Sequence, residues 1–488
     1  MEKIINDMNE KMMDKDLARL FENAFPNTLD TTVRWHVGGS ETPGNKHKQA
    51  SVEPGAWEGP QSFIVTGDIN AEWLRDSTNQ LAQYQKLAKK DNDIEMLILG
   101  AINTQAEYVI ESPYCNAFQP PPPSRLPPSD NGQGDTVHPA YEPTRVFECK
   151  YELDSLAHFL SLSSKFYNET GSTAFLTPRW YLALDTLLVL LAEQQRPTFS
   201  RSGAWERNVY SFRRRTDTGT ETLNLGGFGN PLNAGTGLVR SAFRPSDDAT
   251  ILGFFIPANA MMAVELQRTA AMLATVGKTQ LSKDLKEWGE TLEQGIWDHG
   301  VVTHKKYGAV FAFEIDGYGS TILMDDANLP SLLALPLLGF VSKENEVYQN
   351  TRKMILDKAG NPYYLTGKGL KGIGGPHIGL QNAWPMSLLV QATTSDDDGE
   401  IESILEAVKR VSPLGLIHES INVDRTKDFT RKFCSAGISF RNFVIYLMGF
   451  TGSWFAWANS VFAQTILDIA ARKPHLLFGS GEEPYLLD

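Results

Sequence analysis

The chain is poor in cysteine, in long apolar runs and in clustered positive charge, and each lack removes a class of function. Cys115, Cys149 and Cys434 are the three cysteines in 488 residues. An odd count without CxxC spacing argues against a disulfide framework and against a structural zinc site, while leaving room for one bridge. No run of eighteen apolar residues occurs, so no membrane span is expected. Lys and Arg number 45 against 58 Asp and Glu, a net charge of -13, and no basic run interrupts the excess. That field repels phosphate backbones, so nucleic acid is not an expected partner. The catalytic signatures HExxH, GxSxG, the P-loop, GxGxxG and the EF-hand loop are missing as well. Nothing therefore points to a zinc protease, a serine hydrolase or a nucleotide enzyme.

What is present is aromatic and acidic. The chain holds 10 Trp, 15 Tyr and 25 Phe, rings that fill a large core and whose faces also suit the apolar faces of sugars. Helical periods dominate. Apolar spacing of three and four predicts helices over 10–24, 76–89, 94–112, 152–166, 179–195, 251–276, 279–297, 399–411 and 454–472. Two of these, 179–195 and 251–276, are apolar nearly all round and belong between neighbours; Pro257 falls early in the second. Strand alternation is scarce, with 299–303 and 309–315 forming one candidate hairpin. Many helices over one long chain, with no fixed-period repeat and no evident linker, predict an all-α protein of one domain spanning 1–488, its helices packed pairwise in a ring. Residues 113–144 contain a proline-rich stretch that reads as a stiff loop, either plain surface or a wall of a site.

The acids cluster beside aromatic or glycine-rich loops. Asp68, Trp73, Arg75 and Asp76 lie in TGDINAEWLRDS, where Asp76 is placed to cap a helix. A carboxylate held by Arg stays ionised and fixed, which suits an acceptor of sugar hydroxyls. Arg244-Pro245-Ser246-Asp247-Asp248 precedes the apolar helix, with Ser246 as its expected cap and both acids in the first turn. Glu148, Glu152 and Asp154 share FECKYELDSL; Asp325, Asp326 and Asn328 share MDDANLP; His377 and Trp384 share GGPHIGLQNAWP; Glu419 follows His418. Carboxylates with aromatics and without a cofactor motif leave glycoside hydrolysis as the natural chemistry, since that reaction needs only two acids flanking the scissile bond.

Seven motifs in one order, TGDINAEWLRDS, KYELDSL, FRPSDDATILGFFIPANA, MDDANLPSLLALP, GGPHIGLQNAWPM, HES and SWFAWANSVF, resemble glycoside hydrolase family 125, the metal-independent exo-α-1,6-mannosidases, from about residue 15 to residue 487. The resemblance implies an (α/α)6 toroid with active-site loops and minor β-hairpins at one end. It implies inverting removal of terminal α-1,6-linked mannose from glycans or manno-oligosaccharides, without metal or other cofactor. The general acid maps to the Asp247–Asp248 pair, with Asp247 preferred, and the general base to Glu419. Asp68, Trp73, Arg75, Asp76, Asp154, Arg244, Asp326, Asn328, His377 and Trp384 map to the sugar pocket. Two other readings share the composition: another inverting (α/α)6 glycosidase acting on α-glucosides or trehalose, and a carbohydrate-binding protein with impaired catalysis.

Two departures from the family pattern stand out. Phe429-Thr430-Arg431 is separated from Trp454 by the apolar interval 432–453, read as an atypical insertion of the kind a retained intron produces; transcript sequencing decides that. The chain also begins close to the family core, with a charged N-terminus that has no apolar signal region. As it stands this reads as cytoplasmic. A missing N-terminal extension, and the sequon at Asn168, would point to the secretory route.

Overall fold

Most predicted helices form with their ends shifted by a few residues, but 76–89 breaks into Leu74–Leu81, a 3-10 turn and Gln85–Ala88, and 10–24 is interrupted between Lys11 and Lys15. A computed structural model describes residues 1–38, 55–67, 69–429 and 455–487. The insertion at 432–453, Cys434 and Asp68 lie outside the described residues. The principal elements, in chain order, are α1 (Lys15–Ala24), β1 (Glu72–Trp73), α2 (Leu74–Leu81), α3 (Asn92–Glu111), β2 (Ala117–Phe118), β3 (Val146–Glu148), α4 (Leu153–Thr170) and α5 (Pro178–Gln194). Then come β4 (Phe254–Phe255), α6 (Ile256–Thr275), α7 (Thr279–Gly295), β5 (Glu314–Ile315), β6 (Thr321–Ile322), α8 (Glu346–Ile355), β7 (Asn382–Ala383), α9 (Pro385–Thr393), α10 (Asp398–Val411), β8 (Ile421–Asn422) and α11 (Ala456–Arg472).

Helices α2, α4, α6, α9 and α11 form an inner set. Helix α11 packs on α2, α2 on α4, α4 on α6, and α9 on α11. A second set covers them: α7 lies along α6, α10 along α9, α3 beside α4 and α5, and α1 on α11. The sequence sorts the two sets. Helix α6 buries residues all round, Ala258, Met262, Leu266 and Leu273 among them, because it has neighbours on several sides. Helix α7 buries only Leu285, Gly289, Leu292 and Gly295 and keeps a charged outer face. Gly289 is the contact point: a Cβ there would lie 2.8 Å from the carbonyl oxygen of Ala263, so only glycine lets the two helices approach so closely. Each fully buried Leu in this core contributes about 1.5–3 kcal/mol.

The expected predominance of helix, with minor β-hairpins, is what forms. The protein is predominantly helical, and small antiparallel sheets accompany the helices. The predicted hairpin forms as Val301–His304 paired with Gly308–Phe311. Sequence reading missed the two-residue strands that precede inner helices: β1 pairs β2 and β2 pairs β3, β5 pairs both β4 and β6, and β7 pairs β8. Two residues are too few for a period of two to show. The segment 251–255 is one such entry rather than helix, so α6 starts at Ile256 with Pro257 in its first turn, where a missing N–H costs nothing. The loop beyond Gln119 packs back through Ser129, whose hydroxyl accepts from the Asn70 amide at 3.4 Å.

Cys115 and Cys149 form the single bridge among the described residues and tie β2 to β3. No described helix is long and apolar enough to cross a membrane.

Candidate active site

Helices outside the inner set mostly begin with ordinary caps: the side chains of Asp14, Asp91, Thr177, Asn345 and Asp397 accept first-turn N–H groups of α1, α3, α5, α8 and α10, while α7 starts after Lys278 without one. Inner helices α2, α4, α6, α9 and α11 start after Trp73, Glu152, Phe255, Trp384 and Phe455, none of which makes a side-chain cap bond. Asp76 is therefore not the cap expected from the sequence. It lies in the first turn of α2, because β1 feeds the helix two residues earlier. The uncapped N-terminal ends carry the partial positive charge of their helices. The predicted acids gather beside them.

Arg75, in the first turn of α2, is nearly buried and sits at the centre of one group. Its Nε donates to Asp76 at 3.0 Å and its Nη1 to Glu152 at 2.8 Å, and its Nη2 lies 3.9 Å from an Asp247 carboxylate oxygen. Its guanidinium also covers the Trp457 ring at 5.0 Å, a cation–π contact to the start of α11. Asp154, in the first turn of α4, completes the group. It is fully buried, and neither carboxylate oxygen accepts a hydrogen bond among the described residues. Burial pushes its carboxyl up to about 7, against the pull of Arg75. Burial likewise raises Glu152 well above the carboxylate range. Four carboxyl groups thus share one guanidinium, and like charges in so small a volume cannot all ionise at neutral pH. Glu152 is further fixed by Asn116 at 3.1 Å, the residue next to the Cys115–Cys149 bridge.

The turn 244–252 brings a second group. Asp247 has φ +69°, a left-handed conformation uncommon for any residue but glycine. This replaces the expected helical first turn capped by Ser246. The turn is pinned from behind by Glu314 on β5, which sequence reading missed: one of its oxygens accepts from Arg244 Nε at 2.6 Å, the other from the backbone N–H groups of Ile251 and Leu252 at 2.9 Å each. Its signal was the buried acid in FAFEID, an apolar strand where a carboxylate needs partners. Asp248 has other neighbours. It accepts from the Ser246 hydroxyl at 3.1 Å and lies 4.0 Å from His377. Burial and the neighbouring Asp326 push its carboxyl up to about 7. One Asp326 oxygen accepts from the Asn328 backbone and side chain at 3.1 and 2.9 Å; the other has no partner among the described residues. Gly375 crosses it so closely that a Cβ would stand 3.0 Å from that free oxygen. Asp325, its neighbour, instead caps the backbone of Leu332 and Leu333 and is scaffold.

Glu419 arrives from a third direction. The carbonyl and amide of Ile417 are both held by the Asn459 side chain, at 3.1 and 2.9 Å, on the first turn of α11. Ile421 pairs with Ala383, the residue before Trp384. Glu419 is therefore strapped between α11 and β7 and is 5% exposed. His418 stacks on Phe429 with ring centres 3.8 Å apart. An aromatic chain joins these parts: His377 to Trp384 at 6.5 Å, Trp384 to Phe455 at 6.0 Å, and Phe455 to Trp457 at 5.8 Å. Trp457 leads back to Arg75 and so to Asp247. Among the described residues no group of three His, Cys, Asp or Glu is arranged to hold a metal ion.

Residues 14–445 match the family model of the metal-independent α-mannosidases, GH125. The chain belongs to that family and is a glycoside hydrolase. The mannosidase is 52% identical over 478 residues to the meiotically up-regulated gene 157 protein of Schizosaccharomyces pombe, an alignment covering 98% of this chain and 86% of that one. It superimposes on a metal-independent α-mannosidase of Streptococcus pneumoniae, solved in a non-productive complex with α-1,6-mannobiose, with TM-score 0.78 and 31% identity over 96% of this chain and 97% of that one. A family GH78 rhamnosidase of a Bacillus species shares the fold alone, at TM-score 0.50 and 11% identity over 93% of this chain and 35% of that one.

The buried acids give the mannosidase a testable pH response. Burial pushes Glu72 and Asp325 up to about 8, alongside Asp154 and Asp248 at about 7. Folded, these groups hold protons that the unfolded chain releases near pH 4, so their contribution to stability is complete below that pH and disappears as pH rises through 7 to 8. Burial acts oppositely on His158, pushed down to about 3, and on His36. Their contribution is lost only as pH falls below the ordinary histidine value near 6.5. Between pH 6.5 and 8 the two histidines no longer titrate in either state, the acids do, and Tm is expected to fall. Scanning fluorimetry that finds Tm rising across that window would show that these carboxyl groups are not held protonated.

Proposed function

We propose that the protein is an inverting exo-α-1,6-mannosidase that removes terminal mannose from glycans or manno-oligosaccharides in one step. The observation that supports the reading is that the surroundings of Asp247, turned by its positive φ onto the crowded Arg75 group, and of the Glu419 segment, held to the first turn of α11 and to β7, are linked through Trp457, Phe455 and Trp384. Asp247 donates a proton to the leaving glycosidic oxygen as the bond to the anomeric carbon breaks. Glu419 takes a proton from the water that attacks that carbon from the opposite face. A proton donor has to keep its proton at working pH, and the excess of carboxyl groups over guanidinium around Asp247 favours that. Arg75, Asp76, Asp154, Arg244, Asp326, Asn328, His377 and Trp384, with Asp68 from outside the described residues, bind the sugar. Trp73 and Trp384 offer ring faces, and the unpartnered oxygens of Asp154 and Asp326 offer hydroxyl acceptors. The scaffold is read as an (α/α)6 toroid formed by one domain over 1–488. The likeness to the streptococcal mannosidase and its α-1,6-mannobiose complex supports the linkage.

The test is hydrolysis of α-1,6-mannobiose beside the α-1,2 and α-1,3 isomers and aryl α-glucosides, followed by proton NMR. Cleavage of the α-1,6 linkage alone, β-mannose appearing first, and no effect of EDTA are expected. α-Mannose as the first product, or a preference for glucosides, would defeat the reading.

A further inference from the structure

The excursion between α5 and the 244–252 turn carries an exposed aromatic ledge that the reaction above does not use. Phe199 and Trp205 form an antiparallel bridge, so their side chains share one face of that hairpin. Phe228 and Trp205 make a T-shaped contact with ring centres 5.7 Å apart. Trp205 is 58% and Phe199 41% exposed, and Ile251 beyond them is 50% exposed. Elsewhere the large aromatics of this chain are mostly buried, and a contiguous exposed cluster of them marks a binding surface more often than single exposed rings do. Beside the ledge lies a small notch, with room for about one water, walled by Asn208, Tyr210, Phe228, Asn230 and Arg240. Arg240 among them is buried, and its Nε is closed off from solvent.

Position gives the ledge a direction. Asn230 donates to the carbonyl of Ile251 at 2.7 Å, and the carbonyl of Thr220 accepts from Ala249 at 2.7 Å. The Thr220 hydroxyl also bonds the Asp248 carboxylate. The excursion therefore lies directly along the turn that carries the proton donor. A general acid stands next to the glycosidic oxygen, on the side of the leaving group. A surface continuous with its turn borders the path of the sugars beyond the bond being cut.

We propose that this ledge is a subsite for the leaving arm of a neutral manno-oligosaccharide, in which a mannose stacks on Trp205 and its hydroxyls meet the half-buried amide side chains of Asn208 and Asn230. A neutral sugar fits because the surface pairs ring faces with amide groups, the combination that an apolar sugar face edged by hydroxyls needs. The proposal rests on the mannosidase reading above and adds selection for chain length.

The test compares wild type with Trp205→Ala and Trp205→Phe. On α-1,6-mannotetraose, Trp205→Ala is expected to lower kcat/KM five- to tenfold, with Trp205→Phe restoring most of it, while kcat/KM on α-1,6-mannobiose changes less than twofold. Binding of a thio-linked, uncleavable α-1,6-mannotetraose, followed by calorimetry, should weaken by the same factor in Trp205→Ala. Equal effects on both substrates, or an unchanged Kd for the thio-linked ligand, overturn the ledge as a subsite. A difference that instead appears in sedimentation, as loss of a dimer, assigns the ledge to self-association and overturns it too. If wild type cleaves no α-1,6 linkage yet the thio-linked ligand still binds through Trp205, the subsite stands and the catalytic reading fails.

Discussion

Alanine at Glu419 or at Asp247 is expected to lower kcat on α-1,6-mannobiose by about 10²–10⁴-fold each, with Tm changed little. The two losses differ in kind. A general acid matters in proportion to how poor the leaving group is, so Asp247→Ala should retain most of its activity on 2,4-dinitrophenyl α-mannoside, whose leaving oxygen needs no proton. Glu419→Ala should be equally poor on both substrates, because water must still be deprotonated. Added azide, a nucleophile that needs no base, should restore turnover in Glu419→Ala and give the β-mannosyl azide. The neighbouring acid sharpens the test. Asp248 has Asp326 and His377 as neighbours, so Asp248→Asn should cost about 10- to 100-fold, through binding, and show no selective retention of the activated substrate. If Asp248→Asn instead shows the dinitrophenyl signature and Asp247→Asn does not, the proton donor is Asp248.

The parts of this protein that could be read from its sequence are those that repeat. Helices α5, α6, α7 and α10 each present enough turns for a period of 3.6 to show, and their observed ends lie within a few residues of expectation except where β4 precedes α6. The strands at the site contain two residues each, below any detectable period, yet they set where the inner helices begin. Their loss from the sequence reading explains two misplacements. Asp76 resembles a cap because aspartate usually caps, and Ser246 resembles one because Ser precedes two acids. In both places the chain arrives through a strand or an irregular turn, and Trp73 and Phe255 occupy the cap positions. Candidate acids were legible individually, through residue type and company. Their grouping was not: Arg75, Glu152 and Asp247 are far apart in sequence and meet only because α2 and α4 pack side by side with the 244–252 turn above them. Glu314 was invisible for the same reason, since its partners are a side chain and two backbone amides some sixty to seventy residues away.

Arg75 should be the most costly single residue to remove. Arg75→Ala leaves Asp76, Glu152, Asp154 and Asp247 buried together with no guanidinium between them. Removing one partner from a buried ion pair costs about 3–5 kcal/mol, mainly because the survivor stays desolvated, and here several survivors face one another. Protonation is their only relief, which makes the penalty depend on pH. At pH 5 the orphaned acids take up protons and the variant should approach wild-type stability. At pH 8 they cannot do so cheaply, and Tm should fall far below that of wild type. Arg75→Lys separates charge from geometry. Lysine supplies one cation but not the planar fork that reaches Asp76 and Glu152 at once while covering Trp457. It should fold, with Tm reduced by less than in Arg75→Ala, yet lose about 10²-fold in kcat/KM, since misplacing Asp247 by a fraction of an ångström is enough to spoil proton donation. Thermal melts of the three proteins at pH 5 and pH 8, with kcat/KM on α-1,6-mannobiose, check this. An Arg75→Ala variant as stable as wild type at pH 8 would mean that the surrounding carboxyl groups are already neutral there, and the Arg75 cluster could not then be what fixes the acid.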